Sequence, residues 1–318
     1  MAKIENISVV IPTMGRPLTL KRTLEMMLKS TVLPKQVVIV DQSTELAHRQ
    51  EIAGYKDLFS NEGKVEYTYF YQEQASLTKA RNNGARLATE EILVCCDDDV
   101  DVNGDTFEKV RELMSDEKMA MIAGLDSNLN LGKRNAGGYF WGRKSYKKRK
   151  IGHVTKSMYG VFPLAFQKET KTEWAMGFFF VVRKSLLEKW KLGWDEKLIS
   201  YAYAEDLDFS YAYAKKCEEE QLKCIFSTDV IVTHLQSQEY RIPSQKFTYM
   251  YVLNREYLSY KHFKSAWSRF LTRWSNLGMF FWRIVKRQRP WQLLKAQMLC
   301  DKYRKKLKKG EIPVELLK

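Results

Sequence analysis

The chain has 318 residues, 45% of them apolar or aromatic, and a formal net charge of +15. That length carries one α/β domain of ordinary size plus an appendage, and the composition excludes collagen-like, low-complexity and repeat-array chains. Residues 241–318 hold 19 Lys and Arg against 4 Asp and Glu, while the first 240 residues balance at 34 of each, so a neutral body precedes a basic tail that suits a polyanion, either nucleic acid or an anionic membrane surface.

The chain opens Met-Ala-Lys-Ile-Glu and runs straight into an apolar segment without the h-region of a signal peptide. No uncharged apolar run reaches the 18 or more residues of a spanning helix, so any membrane contact is expected to be peripheral. Ile7–Ile11 is a β-branched strand closed by Pro12. Pro17 sits where a helix can begin, and Leu18 to Leu28 has helical periodicity. Val37–Val40 is a second strand, ended by Asp41, and Val65–Tyr71 a third. Ser76 to Ala88 reads as a helix, and Ile92–Cys96 as a strand running into Asp97–Asp98–Asp99. Phe107–Met114 is helical and Met119–Ala123 is a fifth strand. Leu125 to Gln167 loses the pattern and reads as long loops with short antiparallel strands. Phe178–Val182 is again continuous and apolar, followed by a short helix. Tyr203 to Cys217 is a helix opening with Glu205-Asp206, and Ile225–Val232 holds a strand ending at Thr233-His234. The five cysteines, Cys95, Cys96, Cys217, Cys224 and Cys300, form no CxxC pair, and adjacent thiols in a buried strand suit a reducing, cytoplasmic setting.

Continuous apolar strands alternating with helices predict an α/β fold, a mostly parallel sheet with helices on both faces. Ligands of such sheets sit beyond the carboxyl ends of the strands. Pro12-Thr13, Asp41 and Asp97–Asp99 all follow strands and should converge there. Three adjacent aspartates resist joint ionisation unless a cation intervenes, and Mg²⁺ commonly takes one or two carboxylates plus substrate phosphates. The triplet therefore suits a metal–diphosphate complex, against the alternative of a solvated acidic turn. Asp41 either accepts hydrogen bonds from a ribose or base, or caps a turn. Glu205-Asp206 either cap a helix or supply a general base. His234 is either structural or a ligand.

Taken together these segments resemble glycosyltransferase family 2, the inverting enzymes of GT-A fold. Ser8-Val9-Val10-Ile11-Pro12-Thr13 with Gly15-Arg16 matches the first strand and loop, and Val37–Asp41 with Ser43 the second. Ala80-Arg81-Asn82-Asn83-Gly84 and Leu93–Asp99 match the "ARN-x-G … DxD" core. Gly177 to Lys184, Trp194-Asp195-Glu196 and Glu205-Asp206-Leu207-Asp208 match the acceptor-side block. His234, Asn254-Arg255 and Tyr257-Leu258 fit members that build bacterial surface glycans, and the resemblance covers about residues 4–260.

The resemblance implies that Pro12, Thr13, Arg16, Asp41, Gln42, Arg81, Asp97 and Asp98 bind the nucleotide, and that Asp99 and Asp97 serve a divalent Mn²⁺ or Mg²⁺ and the diphosphate. It implies Asp206 as catalytic base beside Glu205, His234 as a further metal or diphosphate ligand, and Trp174 and Gly177 lining the sugar or acceptor pocket. The family often has a second acid after Asp41. Gln42 stands there instead, so base contacts are expected to differ, with a UDP-sugar still the first choice of donor. The acceptor implied is a glycan or lipid-linked glycan. Residues 1–125 would form the nucleotide-binding half and 126–260 the acceptor-binding half.

Beyond residue 260 the sequence changes character. Phe263, Trp267, Phe270, Trp274, Leu277, Phe281 and Ile284 recur at helical spacing, with Arg269, Arg273, Arg283, Lys286 and Arg287 largely off that stripe. Pro290 interrupts it, and Leu293 to Leu307 forms a second amphipathic piece. A basic, aromatic amphipathic helix suits the membrane interface, here the inner face of the cytoplasmic membrane through residues 261–309. The alternative is a helix pair packed on the domain or on a second subunit in a homo-oligomer. Two other functions compete. A nucleotidyltransferase would need a Gly-rich triphosphate cradle, for which Gly15-Arg16 is too short. A nucleic-acid-binding protein would account for the charge, but no RRM, KH or zinc pattern is present and no specific nucleic acid is expected. The basic run Lys147-Lys148-Arg149-Lys150 lies in the long loop, either beside the acceptor or on solvated surface.

Overall fold

The computed structural model describes residues 3–62, 65–129, 140–143, 150–236 and 243–313. Lys147, Lys148 and Arg149 of the basic loop run lie outside the described residues. The strands are β1 (Lys3–Thr13), β2 (Val32–Asp41), β3 (Glu66–Tyr71), β4 (Ile92–Cys96), β5 (Val100–Val102) and β6 (Met119–Asp126). They continue with β7 (His153–Val154), β8 (Gly160–Val161), β9 (Glu169–Lys171), β10 (Phe179–Arg183) and β11 (Lys223–His234). The helices are α1 (Pro17–Leu28), α2 (Leu46–Gly54), α3 (Leu77–Leu87), α4 (Thr106–Met114), α5 (Lys184–Trp190) and α6 (Glu205–Glu219). A C-terminal group follows, α7 (Ser244–Phe263), α8 (Ala266–Val285), α9 (Trp291–Lys302) and α10 (Arg304–Lys308).

The main sheet has nine strands in the order β3-β2-β1-β4-β10-β6-β11-β5, with β9 also pairing to β11. Six of them run in one direction, and β10, β5 and β9 oppose them. The expected mostly parallel sheet is therefore present. Its antiparallel strands escaped the sequence, because a continuous apolar run such as Phe178–Val182 carries no direction.

Successive residues of a strand point to opposite faces, and each face has its own core. Val9, Ile11, Val37 and Ile39 pack with Leu20, Leu24 and Phe107 of α1 and α4. Val10, Val38 and Leu93 pack on the other face with Ala80 of α3 and with residues of α6 and α7. Contact is closest at Gly84, where an added Cβ would lie 2.1 Å from Val10 Cγ1. Pro17 starts α1 without needing an N–H partner, and the Ser76 hydroxyl accepts from the Lys79 N–H at the start of α3.

The helix α7 runs across residue 260, where the sequence changes character, and α8 and α9 pack on it. The buried Arg255 guanidinium stacks 3.9 Å from the Tyr159 ring and bonds Asn276 at 2.7 Å. Glu256, also buried, pairs with Arg273 at 3.0 Å. Among the described residues no helix is long and apolar enough to cross a membrane.

Candidate active site

Strands β1, β2, β4 and β11 end together along one sheet edge, and their terminal residues make the site. Of the three aspartates that follow β4, Asp98 turns to the first loop while Asp97 and Asp99 turn to His234. Asp98 is fully buried, with Thr13 Oγ1 at 2.6 Å and Arg16 Nη2 at 2.5 Å on its two oxygens. Burial pushes its carboxyl up to about 7, against the pull of Arg16. Asp98 thus ties the first loop to the acidic turn, and its oxygens are not open to a nucleotide.

Asp97 and Asp99 face His234, at the end of β11. One ligand atom from each of the three lies within 4.8 Å of the others. His234 Nε2 is 3.3 Å from Asp99 Oδ1, and its ring stacks on Phe178 at 5.0 Å between centroids. Burial opposes protonation of His234, but the hydrogen bond and charge of Asp99 raise its pKa on balance. Two carboxylate oxygens and an imidazole nitrogen at this spacing fit one divalent cation with open positions for phosphate. The His234 backbone N–H also reaches Asp126 Oδ1 at 3.4 Å, a strand-end acid that the rule applied to Asp41 and Asp97 could have found.

Arg81, from α3, connects this cluster to a second acidic pole. Its side chain is fully buried, with Nη2 at 3.0 Å from both Asp97 Oδ1 and the Gly177 carbonyl, and Nε at 3.1 Å from Glu205 Oε1. The expected contact of Arg81 with a nucleoside is not available to a side chain enclosed this way. Glu205 and Asp206 open α6, where the helix dipole favours carboxylates. They differ in access. Glu205 is buried, and burial pushes its carboxyl up to about 8 despite Arg81. Asp206 remains partly open, held by the Gly177 N–H at 2.9 Å and the Leu207 N–H at 2.8 Å, and burial raises its pKa as well. The fit at Gly177 is close, since a Cβ there would stand 3.2 Å from both Arg81 Nη2 and Asp206 Cβ.

The remaining expected residues are placed as follows. Pro12 and Thr13 end β1, with Gln42 N–H donating to the Thr13 carbonyl. The Asp41 carboxylate is fully buried and engaged by Ser43 and by Tyr69 at 2.9 Å, so it shapes the loop and has no oxygen facing outward. Gln42 accepts from the Ser76 N–H at 2.6 Å and from Gln72 at 3.1 Å. Trp174 belongs to the core and not to an open pocket wall. It is 7% exposed, packs on Phe226 at 5.6 Å, and donates through Nε1 to the Val161 carbonyl.

The family model described as Glycosyl transferase family 2 matches residues 8–191. A validoxylamine A glucosyltransferase of Streptomyces hygroscopicus subsp. limoneus is 34% identical over 95 residues, which is 29% of this chain and 20% of that protein. The chain therefore matches only about a fifth of that relative's length. Among solved structures, the mannosyltransferase PcManGT of Pyrobaculum calidifontis, in complex with GDP-Man and Mn²⁺, superposes with a TM-score of 0.55 at 12% identity, covering 96% of this chain and 84% of that one. S. aureus TarS 1–349 in complex with UDP-GlcNAc gives 0.51 at 15% identity, over 86% and 71%. The sheet and its flanking helices have the GT-A fold. The chain belongs to glycosyl transferase family 2.

Proposed function

We propose that this enzyme moves a sugar from a nucleoside-diphosphate donor to a glycan or lipid-linked glycan acceptor, with inversion at the anomeric carbon, in bacterial surface polysaccharide synthesis. The observation that carries the reading is the pair of acidic poles joined by Arg81 and Gly177. One pole, Asp97–Asp99–His234, has ligand atoms spaced closely enough to hold one cation. The other offers a single accessible carboxylate, Asp206. A UDP-sugar is the first choice of donor, and the GDP-Man and UDP-GlcNAc complexes of the structural relatives support a nucleotide-sugar without selecting the base.

Asp97, Asp99 and His234 would hold Mn²⁺ or Mg²⁺. A bound cation there would offset the negative charge of the diphosphate leaving group. The protein's own groups perform the rest. Asp206, fixed by two N–H donors, accepts the proton of the acceptor hydroxyl as that oxygen bonds to the anomeric carbon, and the burial that raises its pKa makes it a stronger base than an exposed aspartate. The bond from the anomeric carbon to the diphosphate oxygen breaks, leaving its electron pair on the diphosphate. Arg81 keeps the two poles at fixed separation, and Asp98 with Thr13 and Arg16 fixes the acidic turn. Single-sided attack inverts the anomeric centre, as in inverting glycosidases with a sugar hydroxyl replacing water. NMR of the first-formed product tests this: the configuration opposite to the donor supports it, and retention overturns it.

In the same reading, residues 1–125 serve the donor and 126–260 the acceptor. Residues 261–309 hold the enzyme on the anionic inner face of the cytoplasmic membrane, supported by the tail's charge excess and its exposed rings.

A further inference from the structure

Helix α8 is built inside out for a protein in water. Its buried side is small and polar: Ser268, Thr272, Ser275, Asn276 and Gly278. Its outward side carries Trp267 at 55% exposure, Phe270 at 50%, Phe281 at 48% and Val285 at 79%. A surface helix ordinarily turns its apolar stripe to the core. Here the polar side is used by the body, with Ser268 donating to the Lys156 carbonyl and Asn276 accepting from Arg255. The arginines Arg269, Arg273 and Arg283 also point back, to Tyr260, Glu256 and Thr248.

The outward stripe does not end with the helix. The loop after β6 brings Phe140 and Trp141 onto it. Trp141 lies 4.9 Å from Trp274 and 6.0 Å from Phe281 between ring centroids. Phe140 is 64% exposed and its carbonyl accepts from Trp274 Nε1 at 2.9 Å. Gly278 makes room, since a Cβ there would fall 2.3 Å from the Trp141 ring. Arg143 Nη2 fastens the same loop to the Ser275 carbonyl at 3.3 Å. The loop begins at Ser127, one residue past Asp126 beside the metal cluster.

Resting on the membrane reading above, we infer that the bilayer-contacting surface is composite: the outward stripes of α8 and α9 together with Phe140 and Trp141 of the acceptor-half loop. The acceptor served from this surface is one carried on a lipid. The occupant is an anionic bilayer for three reasons. The exposed rings touch one another, Phe140 with Trp274 and Trp267 with Phe270, and the exposed cations Lys286, Arg287 and Arg289 follow directly on α8. A second copy on the same face would bring two equally basic tails together. Single-stranded nucleic acid would use the rings, but Ile284, Val285, Leu294 and Met298 give it no face to stack on.

The test is sedimentation of the full chain with vesicles of phosphatidylcholine alone and with phosphatidylglycerol added. Wild type is compared with Trp282→Asp on α8 and with Phe140→Asp and Phe140→Ser on the loop, melting temperature being recorded for each. We expect wild type to bind only the anionic vesicles, and every variant to lose about tenfold or more in partitioning without losing its fold. If Trp282→Asp weakens binding and both Phe140 variants bind as wild type does, the composite surface is wrong while membrane docking stands. If wild type ignores vesicles, and instead binds oligonucleotides or dimerises through this face, the membrane reading falls and the composite surface with it. Sugar transfer to a soluble acceptor would then survive separately.

Discussion

Asp206 and Glu205 are neighbours in sequence with opposite environments. Glu205 spends one oxygen on Arg81 and buries the other without a hydrogen-bond partner, whereas Asp206 keeps access to solvent while two N–H groups aim it. Asp206→Asn should lower kcat by about 10² to 10⁴ and leave nucleotide binding unchanged, measured by donor turnover and by titration with the nucleoside diphosphate. Glu205 makes a pH prediction. Its folded-state pKa of about 8 lies above its ordinary 4.5, so the folded protein keeps a proton that the unfolded chain has released. Without cation or nucleotide, the melting temperature should fall as pH rises from about 4.5 to about 8, and Glu205→Gln should flatten that slope. An unchanged slope in the variant would remove Glu205 as its source. The sequence singled out residues that end a strand or open a helix, and the fold brings Asp97, Asp99 and His234 together and leaves Asp206 partly open. It did not separate side chains that face the site from those the protein consumes. Asp41, Asp98 and Arg81 look equivalent to site residues until Ser43, Tyr69, Thr13 and Glu205 are seen to engage them.

Among the elements, α7 holds the site and the C-terminal helices together. Ser200, Ala202 and Ala204 adopt left-handed φ of 60°, 52° and 67° just before Glu205, a conformation that non-glycine residues seldom take. Asn254 of α7 donates to the Tyr203 carbonyl at 3.0 Å within that strained stretch, and the next residue, Arg255, bonds α8 and the Ser157 and Met158 carbonyls. Arg255→Ala removes four hydrogen bonds and the stacking on Tyr159 and Tyr251 from a fully buried position. It should cost at least about 3 kcal/mol, read from urea unfolding. A loss below about 1 kcal/mol would mean the helices hold without it. Most element types were legible from periodicity, but α2 and α7 were not: Ile52 is the one buried residue of α2 and leaves no stripe, and α7 is buried all round from Thr248 to Tyr260. The three-residue β5 is too short to register. The stripe of α8 was visible, yet its outward direction was not. Periodicity locates an apolar face without saying what covers it.

At the scale of the whole molecule, a neutral GT-A body carries a basic helical cap whose apolar side faces away from it. The strand alternation was enough to reach the sheet and its functional edge, since Val9 and Val10 serve different cores on its two faces. Antiparallel insertion of β10 between β4 and β6 was not legible, because it depends on pairings distant in sequence. The account's central claim is a metal–diphosphate site at Asp97, Asp99 and His234. It is tested most directly by thermal unfolding with a panel of nucleoside diphosphates, with and without Mn²⁺, on wild type and on Asp99→Ala. A ligand bound only by the folded state raises the melting temperature. The account predicts a Mn²⁺-dependent rise with one nucleotide, absent in Asp99→Ala. A nucleotide-induced rise that is the same without Mn²⁺, or that survives in Asp99→Ala, would contradict it.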